Sequence, residues 1–91
     1  KQRLTWLGGQ DTVNVNPPRL IEASMDELLE KLQSHYTILV KSPIVIVFQY
    51  NDNVEVSFFQ GGRMLIKNVT REDEALKIYE DVWRNLGLKP H

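Results

Sequence analysis

The chain holds 91 residues, 42% hydrophobic and 25% charged, with a formal net charge of -1. That gives room for one core and not two, in the composition of an ordinary globular domain rather than a disordered or fibrous chain. A slightly acidic balance leaves no cationic footprint for nucleic acid or anionic membrane. No apolar run nears the roughly 20 residues of a membrane span, and the lack of cysteine excludes disulfides and thiolate zinc sites within the chain. No signal-peptide pattern is visible. A chain that opens on Lys1 without an initiator Met reads as a piece of a longer protein, cytoplasmic by default.

Residues 1–10 contain Trp6, Leu7, Gly8 and Gly9 without a clear period and read as a linker or the tail of a preceding element. One α+β domain is expected over 11–91. Alternation around Thr12, Val13 and Val15 predicts a short strand over 11–16, ended by Pro17-Pro18. Ser24-Met25-Asp26-Glu27 is a capping box, whose serine hydroxyl accepts from the Glu27 amide while the glutamate reaches back. Met25, Leu28, Leu29 and Leu32 then recur on one helical face, and the helix ends near Ser34.

A strand is expected over 36–40, broken at Ser42-Pro43 because proline lacks a ladder donor. The β-branched and aromatic run over 44–50 is a second strand of this group. Asn51-Asp52-Asn53 is a turn. From 54 to 59, Val54, Val56 and Phe58 alternate with Glu55, Ser57 and Phe59. Gly61-Gly62 supplies the positive φ of the next turn, and 63–68 returns as a strand with Met64 and Ile66 opposite Arg63, Leu65 and Lys67. The final helix, over 70–86, takes Thr70 as its N-cap. Glu72, Asp73 and Glu74 suit the helix dipole, and the apolar stripe is Ala75, Leu76, Tyr79, Val82, Trp83 and Leu86. Gly87 sits at the C′ position.

Catalytic chemistry finds little to stand on. His35 and His91 have no partner at ligand spacing, and the glycine pairs lack the spacing of a phosphate loop or dinucleotide fingerprint. Asn68-Val69-Thr70 matches the glycosylation sequon, but Thr70 is accounted for as a cap. No nucleophile has a base and orienter beside it. The informative feature is the sheet. With Val54, Val56, Phe58, Met64 and Ile66 turned toward the helices, the other face carries Glu55, Ser57, Phe59, Arg63, Leu65 and Lys67. Parity on the neighbouring strand adds Val45, Val47 and Gln49. These nine form a candidate protein-partner surface, apolar anchors within a polar rim.

Two segments carry a family resemblance. Leu7-Gly8-Gly9-Gln10-Asp11-Thr12-Val13-Asn14-Val15-Asn16-Pro17 is similar to a block Leu-Cys-Gly-Arg-Asn/Asp-x-Val-Gln-x-x-Pro. Phe59-Gln60-Gly61-Gly62-Arg63-Met64-Leu65-Ile66-Lys67 is similar to Phe-Pro-Asp-Gly-Arg-Ala-x-x-Lys, with Ala75 and Tyr79 at the family spacing. Over residues 7–86 the chain thus resembles the C-terminal domain of MoeB/ThiF/HesA-type adenylyltransferases, relatives of ubiquitin-activating enzymes. Gly8 stands where the block has Cys, so no thiol role carries over, and Gly61 stands where it has Asp. In that family the nucleotide core and zinc cysteines lie upstream. The resemblance implies a non-catalytic accessory domain without a cofactor of its own, in a parent that uses ATP and zinc. Its implied partner is a ubiquitin-like sulfur carrier or the parent's catalytic domain.

The element order expected here is strand, helix, four strands, helix. It is similar to one half of the saddle-shaped TATA-binding protein, which implies a curved antiparallel sheet with both helices on one face. It also sets up the rival function, a nucleic-acid-binding module. Fold likeness alone does not transfer DNA binding.

Overall fold

A computed structural model describes residues 3–8 and 11–88. Alternating segments become strands β1 (Arg3–Leu7), β2 (Thr12–Asn16), β3 (Thr37–Lys41), β4 (Val45–Gln49), β5 (Glu55–Phe59) and β6 (Met64–Lys67). The two segments of helical period become α1 (Met25–Gln33) and α2 (Glu72–Asn85). All pairings are antiparallel, in the order β1-β2-β6-β5-β4-β3. The fold is therefore α+β, a six-stranded antiparallel open sheet with two helices. Among the described residues no helix is long and apolar enough to cross a membrane.

The element order expected from sequence starts one strand too late. Residues 3–7 pair with β2 along their whole length, from Arg3↔Asn16 to Leu7↔Thr12. Leu4 and Trp6 share the side of Val15 and Val13, but Leu7 is apolar on the opposite parity and blurs the alternation that would reveal a strand.

Register explains the core. Val13, Ile66, Val56 and Phe48 stand side by side on successive strands, as do Val15, Met64, Phe58 and Ile46. None of the eight is more than 1% exposed. Leu28 and Leu32 of α1 join the same cluster, with Ala75, Ile78, Tyr79, Val82 and Trp83 of α2 and then Leu86. Trp83 meets Phe58 edge-on at 6.0 Å and Tyr79 at 5.8 Å between ring centroids. Burying each such side chain contributes about 1.5–3 kcal/mol. Ile78 is part of this stripe and was missing from the expected one, while Leu76 sits at its margin.

The capping box of α1 forms as expected, with the Glu27 amide donating to Ser24 Oγ at 3.1 Å and the Ser24 amide to Glu27 Oε1 at 3.4 Å. At α2 the expectation fails. Arg71, not Thr70, is the N-cap, and its side chain makes no capping bond. Val69 is fully buried, and the amides of Asn68 and Val69 both donate to the Asp11 carbonyl. This anchor holds the chain in a non-helical path past Thr70. Asn68 takes the left-handed conformation, φ 70°, that asparagine tolerates. An early carboxylate does the capping work instead, since Asp73 Oδ1 accepts the Glu74 amide at 2.9 Å.

The Gly61-Gly62 turn is as read, with φ of 95° and 110°. Gly62 is needed twice over. A Cβ there would lie 3.1 Å from Pro17 Cγ and 3.3 Å from Trp83 Cη2, on a backbone that L-residues avoid. Residues 17–24 fold over this turn, and the Ile21 amide donates to the Gly61 carbonyl at 3.0 Å.

Candidate interaction surface

Strand parity sends a second set of side chains to the face opposite the core. Lys67, Glu55 and Gln49 lie in one cross-strand row, with Thr12 beyond Lys67. The next row runs Asn14, Leu65, Ser57, Val47 and Val40. In the third, Val45 is paired with Phe59, and the Arg63 guanidinium lies 3.9 Å over the Phe59 ring. All nine residues singled out from sequence therefore share this face. Val45, Val47, Phe59 and Leu65 are half-buried by their neighbours and lie outside the cluster that the helices cover.

Within the face the nine play unequal parts. Ser57 is only 6% exposed, a small side chain over which the larger ones close. Gln49 is tied to the neighbouring turn, its Nε2 donating to the Asn51 carbonyl at 2.8 Å. Lys67 and Glu55 pair across strands at 3.3 Å, both partly solvated, which contributes well under about 1 kcal/mol. Arg63 is the most constrained cation, stacked on Phe59 while Nη1 donates to Asn14 Oδ1 at 2.8 Å. Sequence reasoning missed Asn14 and Arg3, which belong to the same face through β2 and β1. The alternation of Asn14 with Val13 and Val15 was visible. What places it beside Leu65 is a pairing across some fifty residues, which no local pattern signals.

A polar cluster of a different kind ties α2 to the sheet. The Tyr50 hydroxyl donates to Asp81 in a very short bond, and Asp81 is also paired with Lys77 at 3.1 Å and Arg84 at 2.7 Å. Nearby, Asn85 Nδ2 donates to the Tyr36 hydroxyl at 2.6 Å. The Tyr50 hydrogen bond, followed by those from Arg84 and Lys77, holds the Asp81 carboxyl down at about 2 against some desolvation. Burial and then the Asp81 carboxylate push the Tyr50 hydroxyl well above its ordinary value. These contacts make the cluster a structural latch between α2 and Tyr50.

Further apolar exposure lies around residues 17–24 and the β3–β4 turn, where Leu20 and Ile44 are 78% and 64% exposed. A shallow groove between them is lined by Met25, Leu29, Pro43 and Ile46 and flanked by Asp26 and Lys41. Among the described residues no group of three or more His, Asp or Glu side chains is placed to hold a metal ion. His35 is exposed on the surface, and His91 lies outside the described residues, as do Gly9 and Gln10. No protein-family model matches the chain, and neither the curated proteins nor the solved structures provide a match.

Proposed function

We propose that this is a protein-recognition domain that receives its partner on the open face of the sheet. One observation carries the reading: Val45, Val47, Phe59 and Leu65 stand on adjacent strands, outside the core, and among the described residues no helix packs over them. Apolar anchors surrounded by polar side chains are the composition of a protein interface. The polar groups here are Arg63, Lys67, Glu55 and Asn14.

The resemblance in Leu7–Pro17 and Phe59–Lys67 gives this reading a setting. The domain would be the accessory C-terminal domain of a cytoplasmic ThiF/MoeB/HesA-type adenylyltransferase, with ATP and zinc bound elsewhere in the parent. Its partner would be a ubiquitin-like sulfur carrier or the parent's own catalytic core. The segment β2-α1-β3-β4-β5-β6-α2 also supports the finer architecture, a curved sheet like half of the TATA-binding-protein saddle.

Titration of the isotopically labelled chain with candidate sulfur carriers and with such a catalytic core tests the proposal. Amide shifts should cluster on β4, β5 and β6, and Val47→Asp or Leu65→Asp should abolish them while leaving the folded spectrum intact. Shifts confined to α1 and α2 would show the reading to be wrong. The same isolated chain should not exchange pyrophosphate into ATP, and turnover in that assay would remove the accessory role.

A further inference from the structure

The two layers of the molecule carry opposite charge. Eight of the twelve carboxylates lie on the helices, Asp26, Glu27 and Glu30 on α1 and five more on α2, against only Lys31, Lys77 and Arg84. The open face carries Arg3, Arg63 and Lys67 against Glu55 alone. Lys67 is already paired with Glu55 at 3.3 Å. Arg3 and Arg63 have no carboxylate partner among the described residues. A chain with net charge -1 thus presents a cationic sheet face.

Arg63 is prepared for a planar anion. Its guanidinium plane is supported by Phe59 at 3.9 Å, and one Nη1 hydrogen is committed to Asn14. The remaining N–H donors have no acceptor on this chain among the described residues. Stacking removes much of the rotamer freedom that an arginine loses on binding, so a bidentate contact costs less here than at a free side chain. Asn16, paired with Arg3, follows Asn14 along the same face of β2. Around this corner lie apolar neighbours, Phe59, Val45 and Leu65.

We propose that Arg63 is the specificity-determining residue of the open face, and that it accepts a carboxylate carried beside an apolar side chain on an acidic protein partner. This rests on the reading of that face as an interface and adds the partner's chemistry to it. A phosphate backbone is the weaker match. A protein making about 6–10 phosphate contacts depends on a matching set of cations, whereas this face offers two unpaired arginines among apolar side chains that include Val40, Val45, Val47, Phe59 and Leu65. Charge segregation adds orientation, since an acidic partner is drawn to the sheet and repelled by the helices.

The test selects random twelve-residue loops, displayed on a folded carrier domain, for binding to the 91-residue chain. Selected loops should carry Asp or Glu next to an apolar residue and should shift the amides of Asn14, Phe59 and Arg63. Changing that Asp to Asn in the loop should weaken binding about ten- to hundredfold, the worth of a hydrogen-bonded charge contact. Arg63→Gln should do the same and Arg63→Lys should restore it only in part. The association rate should fall with added salt in the wild type and much less in Arg63→Gln. The loop-side change leaves the domain untouched, so misfolding of a variant cannot imitate the result. Loops that map to the open face without a carboxylate, or that ignore the loss of Arg63, overturn this inference and leave the interface reading standing. Loops that map to the helices, or an empty selection, overturn both. Salt-sensitive binding of a twelve-base-pair duplex to the same face, in place of acidic loops, would replace the protein partner with nucleic acid.

Discussion

Adjacent phenylalanines on β5 show how one residue of register divides stability from recognition. Phe58 is fully buried against Trp83, whereas Phe59 lies half-exposed under Arg63. Phe58→Ala should cost about 3–5 kcal/mol in urea melts, and Phe59→Ala should cost clearly less. The reverse order would mean a register slip that turns every side chain of the strand over. The latch on α2 predicts a pH response at two ends. Because Asp81 is held at about 2, below an ordinary carboxylate, its contribution is fully present above about pH 4 and is lost as the pH falls toward 2. Tyr50 is shifted upward, so its contribution is present below about pH 10 and is lost on further alkalinisation. Asp81→Asn should flatten the acid limb of a stability-pH curve and Tyr50→Phe the alkaline one. Unchanged limbs in both variants would deny the latch its role.

At the level of elements, the two helix starts make contrasting predictions from the same sequence logic. Ser24→Ala removes the serine-hydroxyl half of a formed capping box, leaving only the backbone amide to bond Glu27, and should cost about 1 kcal/mol. Thr70→Ala touches no cap and should stay within about 0.5 kcal/mol. Equal costs in thermal melts would place the α2 cap back at Thr70. The difference also marks what a sequence can tell. Ser24 and Glu27 are three residues apart, so the box was legible locally. The start of α2 is set by the Asp11 carbonyl, in the turn before β2 some sixty residues earlier, and no window around Thr70 contains that information. Strand parity over 45–67 was legible for the same reason as the box: the alternation of Val56 and Phe58 with Glu55 and Phe59 is a short-range signal. β1 was not, because Leu7 breaks its alternation and its identity comes from pairing with β2.

Across the whole molecule, the candidate surface was legible as a set of residues on one face, while its chemical character was not. Arg63 and Lys67 look equivalent in the sequence. In the structure one is neutralised by Glu55 and the other is propped on an aromatic ring with donors to spare. Likewise the net charge of -1 conceals two layers of opposite sign. Only the antiparallel order β1-β2-β6-β5 brings Arg3 into the company of Arg63.

The outermost hairpin has a practical consequence. Pattern alone would trim the domain at residue 11, discarding β1 along with the apparent tail. That cut would strip Leu4 and Trp6 from the flank of Val15 and Val13 and leave the backbone of β2 with a row of unsatisfied amides and carbonyls. An unprotected edge beside valines stripped of their flanking cover is a template on which other chains can add. A protein shortened to 11–91 should therefore melt at lower temperature and seed fibrillar aggregates in thioflavin assays, while the 91-residue chain stays dispersed. Equal behaviour of the two would show that β1 is ornamental to the sheet rather than its selvedge.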